Sequence, residues 1–254
     1  MLTEELAAAR EAAAAAAQII APLYRQNLRV QMKADATPVT EADVRAEEVI
    51  RHSLHQRFPS YGFYGEESGR HAAEAENVWL VDPLDGTKSF VRECPFFSTQ
   101  IALMRAGELV LGVSSAPIYG EVAWAARGRG AFLNGEPIRV SQISQLGGSV
   151  LSTGNIRSLA GDARWLQLGR LIRQVSRVRG YGDFLHYHLL ARGSLELVIE
   201  SDVHILDVAA LSVIVHEAGG RCTDLQGSPL GLNTTSILAS NGVLHTQILQ
   251  QLAP

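Results

Sequence analysis

Cysteine is scarce: Cys94 and Cys222 are the only two in 254 residues, far apart and in no C-x-x-C pattern. That excludes a disulfide scaffold and a thiolate zinc site, and it suits a reducing cytosol. Nor is there a run of about 18 apolar residues, so nothing reads as a membrane span. The stretch 7-AAAREAAAAAAQIIAPLY-24 is alanine broken by Arg10 and Glu11 and preceded by Glu4 and Glu5. It lacks the basic start and uncharged centre of a signal peptide. Alanine is the best helix former, so a surface-to-core helix is expected there. Charge of either sign is also limited. A net charge of -4 leaves no electrostatic footprint for nucleic acid or an anionic membrane. The chain has no G-x-x-x-x-G-K-[ST] loop, no H-E-x-x-H, no repeat, and no low-complexity linker beyond the alanine-rich helix. The pairs His52/His55 and His186/His188 have no cysteine partners and read as surface or core residues rather than zinc ligands.

A hydrophobic fraction of 46% against 19% charged residues supports a real core, in one large domain or two small ones. After the first helix, 29-RVQMKADATPVT-40 reads as a short strand and a loop. Apolar positions Val44, Val49, Ile50, Leu54 and Phe58 then recur near helical spacing, and Pro59 and Gly62 end that helix. Between 98 and 140, apolar runs alternate with glycine-containing turns, which predicts several antiparallel strands. Helical pattern returns near 161–175, near 182–192 and over 207–220, where Gly219 and Gly220 supply a stop. A strand is expected at 195-LELVIE-200. The fold class expected is α/β, in alternating helix and sheet layers. An N-terminal α+β half (1–142) and a smaller C-terminal α/β half (143–254) are expected, with a site between them.

The chemistry concentrates in acids. In 79-WLVDPLDGTKSF-90, an apolar strand ends on Asp82, with Asp85, Gly86 and Thr87 following. Asp43, Glu66, Glu67, Glu200 and Asp207 are the other acids that stand out. Each has a bland reading. Thr40 and Asp43 fit a capping box, and Asp207 and Asp183 fit helix N-caps. Asp85-Gly86 is a common turn, Glu66 and Glu67 fit a solvated loop, and Glu200 ends a strand where it could face water. In combination the acids say more. Crowded carboxylates repel unless a cation or a proton neutralises one of them, and hard oxygen donors in this number suit Mg²⁺. The motif D-P-L-D-G-T is not the D-x-D-G-T of phosphatases with an aspartate nucleophile. Its acids are three apart, not two, so a phospho-aspartyl mechanism is not assigned.

The segments 65-GEES-68, 82-DPLDGT-87 and 207-DVAALSVIVHEAGG-220, in this order, resemble the inositol monophosphatase superfamily of Mg²⁺-dependent phosphatases. The pieces 33-KADATPVTEAD-43 and 128-GRGAFLNGEPIRVS-141 match as well. The resemblance implies an inositol-monophosphatase-like sugar phosphatase fold, two or three Mg²⁺ per site and a homodimer. It implies that Glu66, Asp82 and the Leu84 carbonyl hold a first metal, and that Asp82, Asp85 and Asp207 hold a second. Glu66 and Thr87 would orient the attacking water, and the amides of Gly86 and Thr87 would hold phosphate. Lys33 and Asp43 match a peripheral pair tied to water activation or a further metal, with Glu67 ranked lower. Clustered Mg²⁺ lowers the pKa of bound water and cancels phosphate charge, with no covalent enzyme intermediate. One position departs from the pattern. Leu206 stands where the family usually has Trp before the last metal aspartate.

Within the superfamily, T-P-V-T-E-A-D, D-G-T-K-S-F and 179-RGYGDFLHYHLLARG-193 resemble the bacterial histidinol-phosphatase branch. Asp183 and Glu200 fall where the family contacts the leaving group, and two carboxylates suit an ammonium and a protonated imidazole. L-Histidinol phosphate is therefore the expected substrate of a cytoplasmic enzyme. Inositol 1-phosphate, or a broader set of sugar and nucleotide phosphates, is the alternative. A non-catalytic binding subunit is the reading from another class, opposed by the retention of Glu66, Thr87 and the repelling acids.

Overall fold

The computed structural model describes residues 2–26, 30–32, 38–72 and 74–253. Its first element, α1 (Thr3–Leu23), buries Ala8, Ala12, Ala16 and Ile20 along one stripe at helical spacing. Two short strands, β1 (Gln31–Met32) and β2 (Pro38–Val39), pair antiparallel before α2 (Glu41–Arg57). The buried stripe of α2 is Ala42, Ala46, Ile50 and Leu54, and it lies in the same core cluster as that of α1. Alanine on both helices lets their backbones approach closely, which explains an alanine-rich segment that is not a linker.

The rest of the first half is sheet: β3 (Gly62–Gly65), β4 (Gly69–His71), β5 (Asn77–Asp85), a short α3 (Thr87–Val91), β6 (Ser98–Arg105), β7 (Glu108–Ala116), β8 (Glu121–Ala126), β9 (Ala131–Leu133) and β10 (Glu136–Ile138). These eight strands form one sheet in the order β10-β9-β8-β7-β6-β5-β3-β4, all antiparallel pairs except β3 with β5. Both faces of β5 are covered. Val78 and Leu80 enter one core, and Trp79 and Val81 the other. Residues two apart share a face, so a strand buried on both sides reads as an unbroken apolar run.

The second half contains β11 (Val150–Thr153), α4 (Ile156–Gly161), α5 (Trp165–Ile172), β12 (Arg177–Arg179), α6 (Asp183–Ala191), β13 (Leu197–Ser201), α7 (Ile205–Glu217), β14 (Arg221–Thr223), β15 (Ser236–Ser240) and α8 (His245–Leu252). Its five strands form a second, mixed sheet in the order β12-β11-β13-β15-β14. The helix expected at 161–175 is α5, confined to Trp165–Ile172, and the preceding α4 ends at Gly161. Asp162 leaves helical geometry and caps the turn through Arg164 N–H, 2.7 Å from its Oδ1. In α7 nearly every residue is buried, because the helix is wedged between the two sheets. It crosses β7 at Gly112, where a Cβ would lie 2.2 Å from the Ala210 carbonyl oxygen. Among the described residues no helix is long and apolar enough to cross a membrane.

The Gly112 crossing sets a test of this packing. Gly112→Ala drives a methyl into backbone that cannot yield, with an expected loss of about 2–3 kcal/mol, read from the urea midpoint at unchanged m. Gly169→Ala, in α5 with nothing within 4 Å of the added carbon, is expected to gain roughly 0.5–1 kcal/mol by helix propensity.

Candidate active site

The C-terminal end of β5 delivers the first acids. Its pairing with β6 is regular to Asp82–Gln100 and resumes only at Asp85–Ser98, so Pro83 and Leu84 bulge. Asp82 folds back on that bulge and accepts the Leu84 N–H at 2.9 Å. Thr99 Oγ1 donates to the Pro83 carbonyl at 2.9 Å and pins the other side. Gly86 follows with φ 88, a left-handed geometry that other residues enter at a cost, and a Cβ there would lie 2.4 Å from the Phe96 carbonyl oxygen. The glycine of D-G-T is required twice over. Gly86 caps α3, and the first N–H groups of a helix have no partner within it.

From the other half comes Asp207. It is not an N-cap. The cap of α7 is His204, and Asp207 sits three residues on, accepting the His204 N–H at 2.8 Å in a capping box. One carboxylate oxygen from each of Asp82, Asp85 and Asp207 lies within 4.8 Å of the other two. Glu66, in the turn between β3 and β4, is placed by its amide on the Val81 carbonyl at 3.1 Å, and its carboxylate is a hydrogen-bond neighbour of Asp82. Leu206 is buried in the core between the sheets, so a smaller apolar side chain fills the position expected to hold an indole.

Burial and mutual repulsion mark these acids. Asp82 is pushed well above the usual carboxylate range by burial, then by Glu66, Asp85 and Asp207. Asp85 is pushed well up by burial, then by Asp183, Asp207 and Glu200. Burial carries Asp207 to about 7, despite the His204 amide, with Glu66 and Glu200 adding to the rise. The donor set is carboxylate oxygen alone, without imidazole or thiolate. It fits a hard divalent cation, which would remove the repulsion that otherwise has to be met by protons.

The threonine expected beside this cluster is held by Asp43. Thr87 Oγ1 lies 2.9 Å from Asp43 Oδ1 and 3.0 Å from the Leu84 carbonyl oxygen. Asp43 also closes the capping box of α2, taking Thr40 N–H at 2.8 Å and Thr40 Oγ1 at 2.7 Å on Oδ2. Burial raises its pKa, against these hydrogen bonds. The bland and the functional readings of Asp43 thus coexist, one oxygen serving each. Lys33 lies outside the described residues. Glu67 contributes its amide to the support described next.

Two supports escaped the sequence. Glu47, one helical turn after Asp43 and 3% exposed, accepts the Glu67 N–H at 2.8 Å and the Ser68 N–H at 2.7 Å. It thereby clamps the turn that carries Glu66, and the i, i+4 spacing from Asp43 was the available signal. The second is the setting of Glu200. Far from facing water, it is 5% exposed, and its Oε2 takes the Tyr187 hydroxyl at 2.7 Å and lies 3.0 Å from His186 Nε2. Ser152 Oγ, 3.2 Å from His186 Nδ1, completes the chain. Burial would raise the Glu200 pKa, but His186 and Tyr187 outweigh it and hold the carboxyl below its ordinary value. Asp183 opens α6 just after its cap, Gly182, at φ 46, and burial with Glu200 nearby lifts it to about 6. Both acids belong to the electrostatic neighbourhood of Asp85.

A buried pool of carboxylates, fed by both sheets beside a helix N-terminus, belongs to a class of phosphomonoesterases. The model of the inositol monophosphatase family matches residues 1–254, and the chain belongs to that family. It is 41% identical over 231 residues to the histidinol-phosphatase of Mycobacterium tuberculosis, covering 89% of this chain and 88% of that one. It is 37% identical over 232 residues to the inositol-1-monophosphatase of Caulobacter vibrioides, covering 89% and 91%. The crystal structure of the extragenic suppressor protein suhB from Bartonella henselae superposes with a TM-score of 0.89 at 33% identity, covering 98% of both chains. The layered α/β fold and the family resemblance expected from the sequence hold.

Two outcomes are expected from this geometry. An aspartate held at about 7 keeps a proton that the unfolded chain, at its ordinary 3.8, has released. The stability it contributes is full below 3.8 and is lost as pH rises through 7. In chelator, the melting temperature is therefore expected to fall between about pH 4 and pH 7, less steeply in Asp207→Asn. Added Mg²⁺ at the upper pH should restore about 2.7 kcal/mol at a hundredfold excess over its Kd. Glu47→Gln removes one acceptor from the clamp. Amide exchange at Glu67 and Ser68 is expected to accelerate about tenfold, with protection in β6 unchanged.

Proposed function

We propose that this phosphatase hydrolyses L-histidinol phosphate to L-histidinol and phosphate, with Mg²⁺ held by Asp82, Asp85, Asp207, Glu66 and the Leu84 carbonyl. The observation that carries the site assignment is the approach of the Asp82, Asp85 and Asp207 oxygens to within 4.8 Å of one another, with Asp82 buried and the other two half-buried. Two or three Mg²⁺ ions there would cancel the phosphate charge and lower the pKa of bound water. The chain's own groups do the rest. Gly86 and Thr87 present amides to the phosphate oxygens at the opening of α3. Thr87, its hydroxyl 2.9 Å from Asp43, orients the attacking water together with Glu66. The family resemblance gives Asp43 and Lys33 a peripheral role in water activation or a further metal, with Glu67 ranked lower. Water attacks in line, and no side chain becomes covalently modified.

The leaving group is read by Asp183 and Glu200. Histidinol carries an ammonium and an imidazole, and charge-assisted hydrogen bonds to carboxylates suit both. Glu200 retains Oε1, since Oε2 is taken by Tyr187 and His186, and Gly154 leaves that oxygen room because a Cβ would meet it at 1.6 Å. The name of the 41% identical relative supports the same substrate. The second reading, inositol 1-phosphate, is supported by the name of the 37% identical relative and by the capacity of the same acids to accept hydroxyl hydrogen bonds. We place the enzyme in the cytoplasm as a homodimer.

Phosphate release from L-histidinol phosphate, inositol 1-phosphate, fructose 1,6-bisphosphate and adenosine 3′,5′-bisphosphate, with Mg²⁺ and with chelator, separates the readings. A Mg²⁺-dependent preference for the first is expected, and a flat profile overturns it. Asp85→Asn should fold yet lose about 10³-fold or more in kcat. Near-normal turnover would overturn the metal assignment. Glu200→Gln should alter relative rates among the four esters more than the rate on any small ester such as p-nitrophenyl phosphate.

A further inference from the structure

A chain of hydrogen bonds runs from the second half of the molecule to Asp85. At its far end Arg192, the C-cap of α6, donates to Glu121 Oε1 at 3.0 Å. Glu121 Oε2 lies 2.9 Å from Nδ1 of His188 in α6, and His188 Nε2 lies 2.9 Å from Ser114 Oγ in β7. Gln100 of β6, the register partner of both Ser114 and Asp82, donates from Nε2 to Ser114 Oγ at 3.1 Å and to Ser98 Oγ at 2.7 Å. Ser98 Oγ lies 3.4 Å from Asp85 Oδ2, the longest link. Ser98, Gln100, Ser114 and His188 are all fully buried, so bulk water completes none of these contacts.

The hydrogens in this chain point one way. A carboxylate only accepts, so His188 carries its hydrogen on Nδ1. Burial holds its imidazole below the ordinary pKa, against Glu121, and Nε2 of the neutral ring accepts from Ser114. Ser114 then takes one Gln100 N–H, Ser98 takes the other, and the Ser98 hydrogen is left for Asp85, its one acceptor among the described residues. The reverse polarity costs more. It would set a bare Nδ1 lone pair against Glu121 and turn the Gln100 amide round, leaving two buried donors unmet where one acceptor, Oε1, is unmet now. Ser98 would then spend its hydrogen on Gln100. We propose that His188 is a positioning residue for Asp85, acting through Ser114, Gln100 and Ser98 to fix the rotation of that carboxylate for a metal ion. This role rests on the assignment of the acid cluster to Mg²⁺. Partners that orient a metal ligand in this way are commonly worth about ten- to a hundredfold in metal affinity.

Calorimetry of Mg²⁺ binding without substrate tests it. Ser114→Ala and Ser98→Ala are each expected to weaken Mg²⁺ about tenfold relative to the unaltered protein, and the double variant about tenfold as well, because either change breaks the same chain. The melting temperature in chelator is measured alongside, since a merely structural role would lower it and leave the Mg²⁺ affinity where it was. In metal-free ¹⁵N-labelled protein, the imidazole spectrum is expected to show His188 neutral with its hydrogen on Nδ1. That ring is assigned by its loss in His188→Phe or, if that variant does not fold, by its shift in Ser114→Ala. Unchanged Mg²⁺ affinity in both single variants, a loss of about a hundredfold in the double variant, or a His188 ring with its hydrogen on Nε2 would overturn the proposal while the metal assignment stands. No saturable Mg²⁺ binding by the unaltered protein would instead overturn the metal assignment, and this role with it.

Discussion

Like charges held together in a buried place are the constraint to which the rest of the molecule answers. Asp82, Asp85 and Asp207 would separate if their backbones allowed it, and burial and mutual repulsion raise the pKa of each. The backbones do not allow it. Asp82 and Asp85 flank a bulge pinned by Leu84 N–H and Thr99 Oγ1, and Asp207 is locked into the first turn of a helix buried on nearly every side. Each fully buried Leu or Ile around α7 contributes about 1.5–3 kcal/mol, so core packing readily offsets the cost of bringing the acids together. The site is an electrostatic defect held in place by hydrophobic structure, and a divalent cation is a group that would cure it.

The supports share a design. Carboxylates outside the cluster, buried at Glu47 and Glu196 and half-buried at Glu217, are spent on backbone amides, and each ties one segment to another. Glu47 ties α2 to the turn bearing Glu66. Glu217, at the end of α7, takes the amides of Gly128, Arg129 and Gly130 at 2.9–3.1 Å and ties the second half to the β8–β9 turn. Glu196 takes Val150 N–H and Ser141 Oγ and ties β13 to the start of β11. These acids carry the same charge as those at the site but have their hydrogen bonds filled by the protein. That difference separates structural from available carboxylates more sharply than burial does.

How much of this was legible follows from how local each feature is. The strand ending in acids, the glycine after Asp85 and the capping box at Thr40 and Asp43 are set within a few residues, and the sequence pattern shows them directly. Asp207 was legible as an acid opening a helix, but not as its third residue, because histidine is an unusual cap and α7 starts two residues earlier than its pattern. The helix expected at 161–175 starts only at Trp165 because Asp162 prefers its own turn to a place in a helix, a local competition that periodicity does not register. Glu47, His186 and Tyr187 went unread for a different reason. Their partners lie 13 to 21 residues away in the chain, so the one local signal is the i, i+4 spacing of Glu47 from Asp43, and nothing beside His186 or Tyr187 announces the contact.

Strand β5 carries both kinds of unfinished business. At its end, Asp82 presents acceptor capacity and negative charge beyond what the protein satisfies, and the complement is a cation. Three residues earlier and on the opposite face, Trp79 carries an indole N–H with no acceptor among the described residues. Both groups are nearly inaccessible, so neither is idle surface polarity, and both lie in a strand whose apolar neighbours fix them to within a rotamer. Their surroundings differ: Asp82 adjoins the half-buried Asp85 and Asp207, where a cation would enter, while the indole N–H of Trp79 is sealed in the core and stays a cost that packing offsets.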